Sequence, residues 1–197
     1  MCGMKDINRL KVNEIFYSIQ GEGANAGMPA VFVRLSGCNL NCAFCDTKHE
    51  EYTEMTIEQI RQKVAEYRCR NIIWTGGEPT LQLTDEIVRR FKEYYNHIET
   101  NGTRKIPIRH IDYVSLSPKK VDRDAFDEND IMLVDEIRLP IKVGDIIPKM
   151  SHLPTAAYYF LSPIDASQEN INYCLEQIKI YPQWRLSVQL HKLLNIK

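Results

Sequence analysis

Three cysteines lie within eight residues of this chain, at Cys38, Cys42 and Cys45, and Asp46 and Thr47 follow directly. Their spacing, C-x3-C-x2-C, supplies three thiolates, which is one fewer than a closed four-iron cluster uses. A cluster held by three thiolates keeps one iron open, and an open iron can bind a substrate, whereas four cysteine ligands favour simple electron transfer. The spacing therefore predicts a catalytic iron–sulfur site.

Two other uses of these cysteines stay open. With His49 the segment reads C-x3-C-x2-C-x3-H, which would make a closed Cys3His zinc site. Cys42 and Cys45 alone would make a redox pair, although such pairs rarely have a third thiol nearby. Phe44 gives the pattern C-x3-C-x-aromatic-C, which resembles the signature of the radical S-adenosylmethionine (SAM) enzymes and favours iron over zinc.

The length and charge of the chain narrow the class of protein. A chain of 197 residues can bury a core without metal or disulfide support, so we expect one domain over residues 1–197. A net charge of -1 and a pI near 6.5 argue against a nucleic-acid partner and favour a small-molecule substrate. No run approaches about eighteen apolar residues and residues 1–9 lack an apolar signal region, so we expect a cytoplasmic protein with no membrane partner and reduced thiols.

The candidate catalytic and binding residues need strands and helices to position them. The pattern of apolar residues predicts both. Thr56 and Gln59 have the spacing of a capping box, and apolar residues recur from Ile57 at helical intervals. A second helix is expected from about Thr84 and a third over 169–180. Runs rich in β-branched and aromatic residues predict strands at 30–35, 71–74, 95–99, 113–116, 136–139, 156–161 and 185–189.

This alternation predicts an α/β fold with mostly parallel strands. Segments 118–134 and 140–154 carry little helical periodicity, so we expect fewer helices than strands and an incomplete, TIM-like barrel. Catalytic groups in such folds lie on the loops at the carboxyl ends of the strands. The cysteine segment and the TGGEP segment at 75–79 both follow predicted strands, so we expect them at this edge.

Longer motifs make the resemblance more specific. In chain order they are EIFYSIQGEG (14–23), FVRL (32–35), GCNLNCAFCDT (37–47), WTGGEP (74–79), HIETNG (97–102), SPK (117–119) and WRLSVQLHK (184–192). In this order, and over nearly the whole chain, they resemble the 7-carboxy-7-deazaguanine synthases, a family of radical SAM enzymes. The resemblance implies the partial barrel of the radical SAM core in a single domain, and it implies a homodimer.

The resemblance also implies the cofactors. Cys38, Cys42 and Cys45 would form the catalytic centre by holding a 4Fe-4S cluster whose fourth iron binds SAM. The implied SAM-binding residues are Phe44, Cys45, Asp46, Gly77, Glu78, Ser117, Pro118, Lys119, Ser162, Pro163, Ile164 and Asp165. Taken alone, adjacent glycines are typical of a turn and a lysine of a solvated surface. Thr47 is implied as a ligand of Mg2+, which prefers oxygen, although a threonine after aspartate is otherwise typical of a cap.

The family substrate is 6-carboxy-5,6,7,8-tetrahydropterin, which is converted to 7-carboxy-7-deazaguanine with release of ammonia in queuosine and other 7-deazapurine biosynthesis. A guanidinium fork at Arg34 suits the substrate carboxylate, although a strand arginine can equally form a structural ion pair. An electron donor such as flavodoxin is also implied. The implied substrate-binding residues are Ile19, Gln20, Gly21, Glu22, Arg34, Thr75 and Lys197.

Two functions of other classes stay open on the sequence. Another small radical SAM enzyme, such as a glycyl-radical activase, would share the cluster but would not need Gln20, Glu22 or Arg34. A non-enzymatic Cys3His zinc module would use His49 as its fourth ligand. The five histidines show no arrangement with Ser or Cys outside the cysteine segment that would indicate a hydrolytic triad.

Overall fold

A nine-stranded sheet organises the residues that the computed structural model describes, which are 8–45 and 51–197. The strands are β1 (Arg9–Ile19), β2 (Pro29–Leu35), β3 (Thr53–Thr56), β4 (Asn71–Gly76), β5 (Tyr95–Thr100), β6 (Tyr113–Leu116), β7 (Leu133–Ile141), β8 (Thr155–Pro163) and β9 (Arg185–Leu186). Their order across the sheet is β3-β1-β2-β4-β5-β6-β7-β8-β9. Neighbours from β2 onward pair in parallel, whereas β1 is antiparallel to both β2 and β3.

The described part of the chain contains five α-helices, four between strands and one after β9. They are α1 (Ile57–Ala65), α2 (Asp85–Arg89), α3 (Arg123–Glu128), α4 (Gln168–Ile180) and α5 (Leu190–Leu194). Short 3-10 turns occupy Pro79–Leu81, Ile108–His110, Met150–His152 and Ile164–Ala166. Because β3 and β9 are both sheet edges, the sheet does not close on itself. The expected α/β architecture, an incomplete barrel with fewer helices than strands, is confirmed.

The capping box predicted for α1 is present in both directions. The Thr56 hydroxyl accepts a hydrogen bond from the backbone N–H of Gln59, and the Gln59 side chain accepts one from the backbone N–H of Thr56. Two backbone donors that the first helical turn leaves unpaired are thereby satisfied. Ile57, Ile60 and Val64 are buried at the helical spacing that the sequence predicts.

Other elements differ from the sequence prediction. The apolar spacing after Thr84 extends to Tyr95, but α2 ends at Arg89 and Tyr95 begins β5. Phe91 is nevertheless buried and packs edge-on against Trp74, with ring centres 4.8 Å apart. The spacing therefore reflects core packing by a turn and not a longer helix. The segment 118–134 contains α3, which buries only Phe126 and is therefore too short to show periodicity.

Two strands also differ from the prediction. The segment expected to be a strand at 185–189 pairs only over Arg185–Leu186, and β1, which the apolar pattern did not indicate, spans eleven residues. A register shift between Val12 and Glu14 interrupts the alternation of buried and exposed residues along β1, which hides its strand period.

The parallel strands β2 and β4 are almost entirely buried, as expected for strands that are covered on both faces. One face of the sheet packs on the main core cluster, and Phe16, Ala30, Phe32 and Ile73 form a second, smaller cluster. Phe16 and Phe32 also line the cavity described below. No helix in ranges 8–45 and 51–197 is both long and apolar enough to span a membrane.

Candidate active site

A cavity of about 710 Å3 lies at the carboxyl ends of the parallel strands. Because these strands run in one direction, the residues that end them meet at one edge of the sheet. Most residues predicted for the site line this single cavity. They are Ile19, Gln20, Gly21, Glu22, Arg34, Cys38, Cys42, Phe44, Cys45, Thr75, Gly77, Ser117, Lys119, Ser162, Pro163, Ile164, Asp165 and Lys197.

The remaining predicted residues lie elsewhere. Pro118 lines an adjoining cavity of about 390 Å3, which shares Phe44, Lys119, Pro140 and Ile164 with the larger one. Glu78 is only 1 % exposed and is not part of the lining of either cavity. Asp46, Thr47 and His49 fall outside the described residues.

The cysteine loop, residues 37–45, follows β2 directly. Cys38 and Cys42 are half-buried and Cys45 is exposed. Burial raises the pKa of the Cys42 thiol, the charge of Lys119 opposes this shift, and Cys38 and Cys45 raise the pKa further. The backbone N–H of Leu40 donates to Cys38 Sγ at 3.4 Å, and Asn101 Nδ2 lies 3.9 Å from the same sulfur.

This donor set fits an iron–sulfur cluster. Hydrogen bonds to a coordinating sulfur help to set the reduction potential of such a cluster. Among the described residues, no three His, Cys, Asp or Glu side chains converge on a point where one metal ion could bind. In a four-iron cluster each thiolate binds a different iron, so the three sulfurs do not need to converge.

The two glycines after β4 are required by a close approach of backbone to backbone. The N–H of Gly77 donates to the carbonyl of Leu35 at 3.0 Å, and the N–H of Glu78 donates to the carbonyl of Gly37 at 2.9 Å. A Cβ on Gly76 would lie 2.0 Å from the Leu35 carbonyl oxygen, and a Cβ on Gly77 would lie 2.0 Å from that of Gly37. Only glycines therefore allow the backbone of this turn to hydrogen-bond so closely to the end of β2 and the start of the cysteine loop.

Glu78 connects that turn to the next strand. Its carboxylate accepts hydrogen bonds from Thr80 and Thr100 hydroxyls at 2.6 and 2.8 Å and from the Asn101 backbone N–H at 2.7 Å. Asn101 is the residue whose side chain lies beside Cys38. The buried carboxylate thus connects the segment 75–79 to the segment 97–102, and the latter contacts the cysteine loop through Asn101.

Phe44, Ser117 and Lys119 form one wall of the cavity. Lys119 Nζ donates to Ser117 Oγ at 2.8 Å and lies 5.9 Å from the centre of the Phe44 ring. An aromatic face beside a hydroxyl and an ammonium can contact a nucleoside with charged substituents.

Arg34 faces the antiparallel strand β1, where Glu14 is its partner in the strand register. Arg34 Nε lies 3.0 Å from Glu14 Oε1, and Lys197 Nζ lies 2.9 Å from Glu14 Oε2. Burial alone would raise the pKa of Glu14, but Lys197 and Arg34 lower it, so this carboxylate is ionised. Both cations also lie over the Phe16 ring, which stacks on Phe32 with ring centres 4.9 Å apart.

Glu99 and Arg138, which were not assigned from the sequence, form a second charged group in the lining of the same cavity. Glu99 accepts from Thr75 Oγ1 at 2.7 Å, Gln20 Nε2 at 2.9 Å and Arg138 at 2.6 Å. Burial alone would raise the pKa of Glu99, but the charges of Arg138 and His97 and the hydrogen bonds from Arg138 and Thr75 lower it far below the ordinary value. Arg138 also contacts Glu22 at 3.4 Å and Glu136 at 3.1 Å.

The sequence carried a signal for both residues. Glu99 ends a predicted strand within the HIETNG motif, at the edge where site residues were expected. Arg138 is a charged residue inside a strand that otherwise reads as buried, and such a residue needs a partner. Gln189, which donates to Glu22 at 3.0 Å, and His191, which also lines the cavity, lie in the quoted motif at 184–192 but had no assigned role.

Comparisons with known proteins agree with this arrangement. The sequence profile of the Radical SAM superfamily matches residues 32–141. The chain is 43 % identical to the 7-carboxy-7-deazaguanine synthase of Bacteroides thetaiotaomicron over 189 residues, which cover 95 % of this chain and 98 % of that protein. It is 40 % identical to the synthase of the same name from Haemophilus influenzae, with 93 % of this chain and 92 % of that protein covered.

A solved structure is similar over almost the same extent. The crystal structure of QueE from Escherichia coli superposes with a TM-score of 0.71 and 27 % sequence identity, covering 93 % of this chain and 95 % of that chain. The structural similarity therefore extends over nearly the whole chain.

Proposed function

The chain belongs to the 7-carboxy-7-deazaguanine synthase family of the radical SAM superfamily, and we propose that it converts 6-carboxy-5,6,7,8-tetrahydropterin to 7-carboxy-7-deazaguanine with release of ammonia. One observation carries the proposal: the three cysteines share a single cavity with Gln20, Glu22, Arg34 and Thr75. A glycyl-radical activase would have no use for that second group of side chains.

Membership of the radical SAM superfamily implies a 4Fe-4S cluster and SAM. When bound, the cluster and SAM together would supply the radical that begins the reaction. In this proposal Cys38, Cys42 and Cys45 hold the cluster. The side chains that would orient SAM are Phe44, Asp46, Ser117, Lys119 and Asp165, together with the backbone of Gly77, Pro118, Ser162, Pro163 and Ile164. Glu78 would act through the backbone that it fixes, because its carboxylate is occupied by Thr80, Thr100 and Asn101.

The substrate carboxylate would bind at Arg34. Its Nε is engaged by Glu14, and the planar guanidinium presents a fork that matches a carboxylate in two parallel hydrogen bonds. Arg34 and Thr75 are partners in the register between β2 and β4, so Thr75 connects this position to Glu99. Ile19, Gln20, Gly21 and Glu22 would contact the ring, and Lys197 would add a cation beside Glu14.

Further parts of the proposal rest on the resemblance. Thr47 would bind Mg2+, a hard ion that prefers oxygen ligands and that could hold the substrate carboxylate. Flavodoxin or a similar protein would supply the electron. We also propose that residues 1–197 act as one domain, in a cytoplasmic homodimer.

Anaerobic turnover of the reconstituted enzyme with the tetrahydropterin, SAM and a reductant tests the proposal. Mass analysis should detect 7-carboxy-7-deazaguanine and ammonia, and deuterium at the abstracted position of the substrate should be recovered in SAM. Turnover without transfer of label contradicts this mechanism. Stoichiometric zinc without sulfide in the anaerobically purified protein contradicts the enzyme assignment itself.

A further inference from the structure

Arg138 lies at the centre of three carboxylates and is only 5 % exposed. Its nitrogens lie 2.6 Å from Glu99, 3.4 Å from Glu22 and 3.1 Å from Glu136. Three negative groups around one guanidinium leave an excess of negative charge at a buried place. Such an excess is costly unless hydrogen-bond donors surround it.

Glu136 is fully closed off by protein donors. Its carboxylate accepts from Tyr113 Oη at 3.1 Å, Ser115 Oγ at 2.5 Å and the Ala24 backbone N–H at 2.7 Å. The glycine before Ala24 has φ +71°, and a Cβ there would lie 2.3 Å from a Glu136 oxygen. Glu136 is 0 % exposed and is absent from the cavity lining, so it fixes Arg138 and has no oxygen free for a ligand.

Glu22 and Glu99 do line the cavity, and we call this pair with Arg138 the anionic floor. The protein groups that contact the two carboxylates are all donors: Gln20, Thr75, Ser162, Gln189 and Arg138. An ionised carboxylate has about four acceptor positions and no donor. The lone pairs that stay open towards the cavity therefore demand N–H or O–H groups on the ligand.

We propose that Arg138 is a positioning residue that holds Glu22 and Glu99 as paired acceptors, and that this pair selects rings with two adjacent N–H donors. The 2-amino-4-oxopyrimidine edge of a pterin has such donors at N3 and at the 2-amino group. A 2,4-dioxo ring replaces the amino group by a carbonyl, which would face a carboxylate without a proton between them. The inference rests on the proposed function and adds the feature by which the ring is selected.

Equilibrium binding of two unreactive probes to the anaerobic, SAM-loaded enzyme tests this. The probes are 6-carboxypterin and 6-carboxylumazine, which share the carboxylate and differ in the 2-amino group against a 2-oxo group. Wild type should bind the pterin roughly 10- to 100-fold more tightly, the range for loss of one charged hydrogen bond. Equal affinities overturn the inference but leave the proposed function standing, whereas failure of both probes to bind contradicts the proposed function.

Variants assign the selectivity to the floor. Arg138→Met should remove most of the preference for the pterin, and Arg138→Lys should restore part of it, because lysine keeps the charge but loses the fork. Arg61→Met is the matched control, since Arg61 pairs with Glu93 and does not line the cavity. Survival of the full preference in a folded Arg138→Met enzyme overturns the positioning role.

A second variant covers the case in which Arg138→Met does not fold. Glu99→Gln keeps the shape and hydrogen-bonding reach of the side chain, but its amide N–H2 can donate to a 2-oxo group. The preference should therefore shift towards 6-carboxylumazine by about tenfold or more. If Glu99→Gln keeps the wild-type preference for 6-carboxypterin, the anionic floor does not discriminate between the two rings and the inference is overturned.

Discussion

The anionic floor and the cysteine loop line one cavity but are built in opposite ways. Glu99 lies on β5 and Arg138 on β7, the strands on either side of β6 in the parallel part of the sheet. Their partners include Thr75 on β4. In the cysteine loop, residues 37–45 form neither strand nor helix, and Cys45 is exposed. The floor is organised by the protein before any ligand binds, whereas the loop provides ligands for a cluster that must itself help to order them. Substitutions in the cysteine loop should therefore change mainly activity, whereas removal of the buried support of the floor should change mainly the stability of the fold.

The largest effect should come from the loop, on activity alone. Cys45→Ala removes one of three proposed cluster ligands and should abolish product formation and lower the iron and sulfide content. Because the side chain is exposed, the free energy of unfolding of the cluster-free protein should change by less than about 0.5 kcal/mol. Cys69→Ala is the control, since Cys69 donates to the Pro29 carbonyl outside the cavity and should keep the cluster. Turnover by Cys45→Ala contradicts the ligand assignment.

The floor should show the opposite result when its buried support is removed. Glu136→Ala removes the acceptor of Tyr113, Ser115 and the Ala24 N–H and one ionic partner of Arg138. It should lower the free energy of unfolding by about 3–5 kcal/mol, measured by denaturant unfolding. Glu93→Ala breaks an exposed ion pair with Arg61 and should cost less than about 1 kcal/mol. Equal losses in the two variants would mean that the floor is no better organised than the surface.

The pH dependence of stability gives a third contrast. His97 is buried, and its Nε2 lies 2.7 Å from Ser115 Oγ, which donates to Glu136; its Nδ1 has no hydrogen-bond partner among the described residues. Burial lowers the pKa of His97 to about 4, with Glu99 opposing and Arg138 adding to the shift. Between pH 6.5 and 4 the unfolded chain therefore binds a proton that the folded protein does not.

Stability should consequently fall by about 3 kcal/mol as the pH drops from 6.5 to 4, since each pKa unit corresponds to about 1.4 kcal/mol. Unfolding of the cluster-free protein across this range measures the slope. His97→Asn should flatten it, and the exposed His152 provides the control variant His152→Asn, which should leave it unchanged. The lowered pKa of Glu99 adds stability that is present above pH 4.5 and is lost at more acidic pH.

The same contrast explains what the sequence could predict. The cysteine loop and strands β2, β4, β5, β6 and β8 follow from local signals, because residue type and spacing determine them. The floor could not be assembled this way, since Gln20, Thr75, Glu99 and Arg138 come from four segments that only the sheet order brings together. The prediction was wrong about the end of α2 and the presence of α3. Tertiary packing, and not apolar periodicity, determines where these two helices begin and end.

The smallest predicted effects concern the two cations that share Glu14. Arg34 is 24 % exposed in its side chain and Lys197 is 71 % exposed. Arg34→Lys keeps the charge but loses the guanidinium fork, so substrate binding should weaken by about 1.5–3 kcal/mol, the cost of one charged hydrogen bond. Steady-state kinetics with the tetrahydropterin should show this as a higher KM.

Lys197→Ala tests how much the second cation beside Glu14 contributes to substrate binding. An exposed ammonium contributes less than about 1 kcal/mol to a contact because water competes for it, so KM should rise only a few-fold. Lys105→Ala removes an equally exposed lysine, paired with Asp130 away from the cavity, and should leave KM unchanged. A larger effect for Lys197→Ala than for Arg34→Lys would reverse the assignment, because the exposed cation and not the stacked guanidinium would then bind the carboxylate.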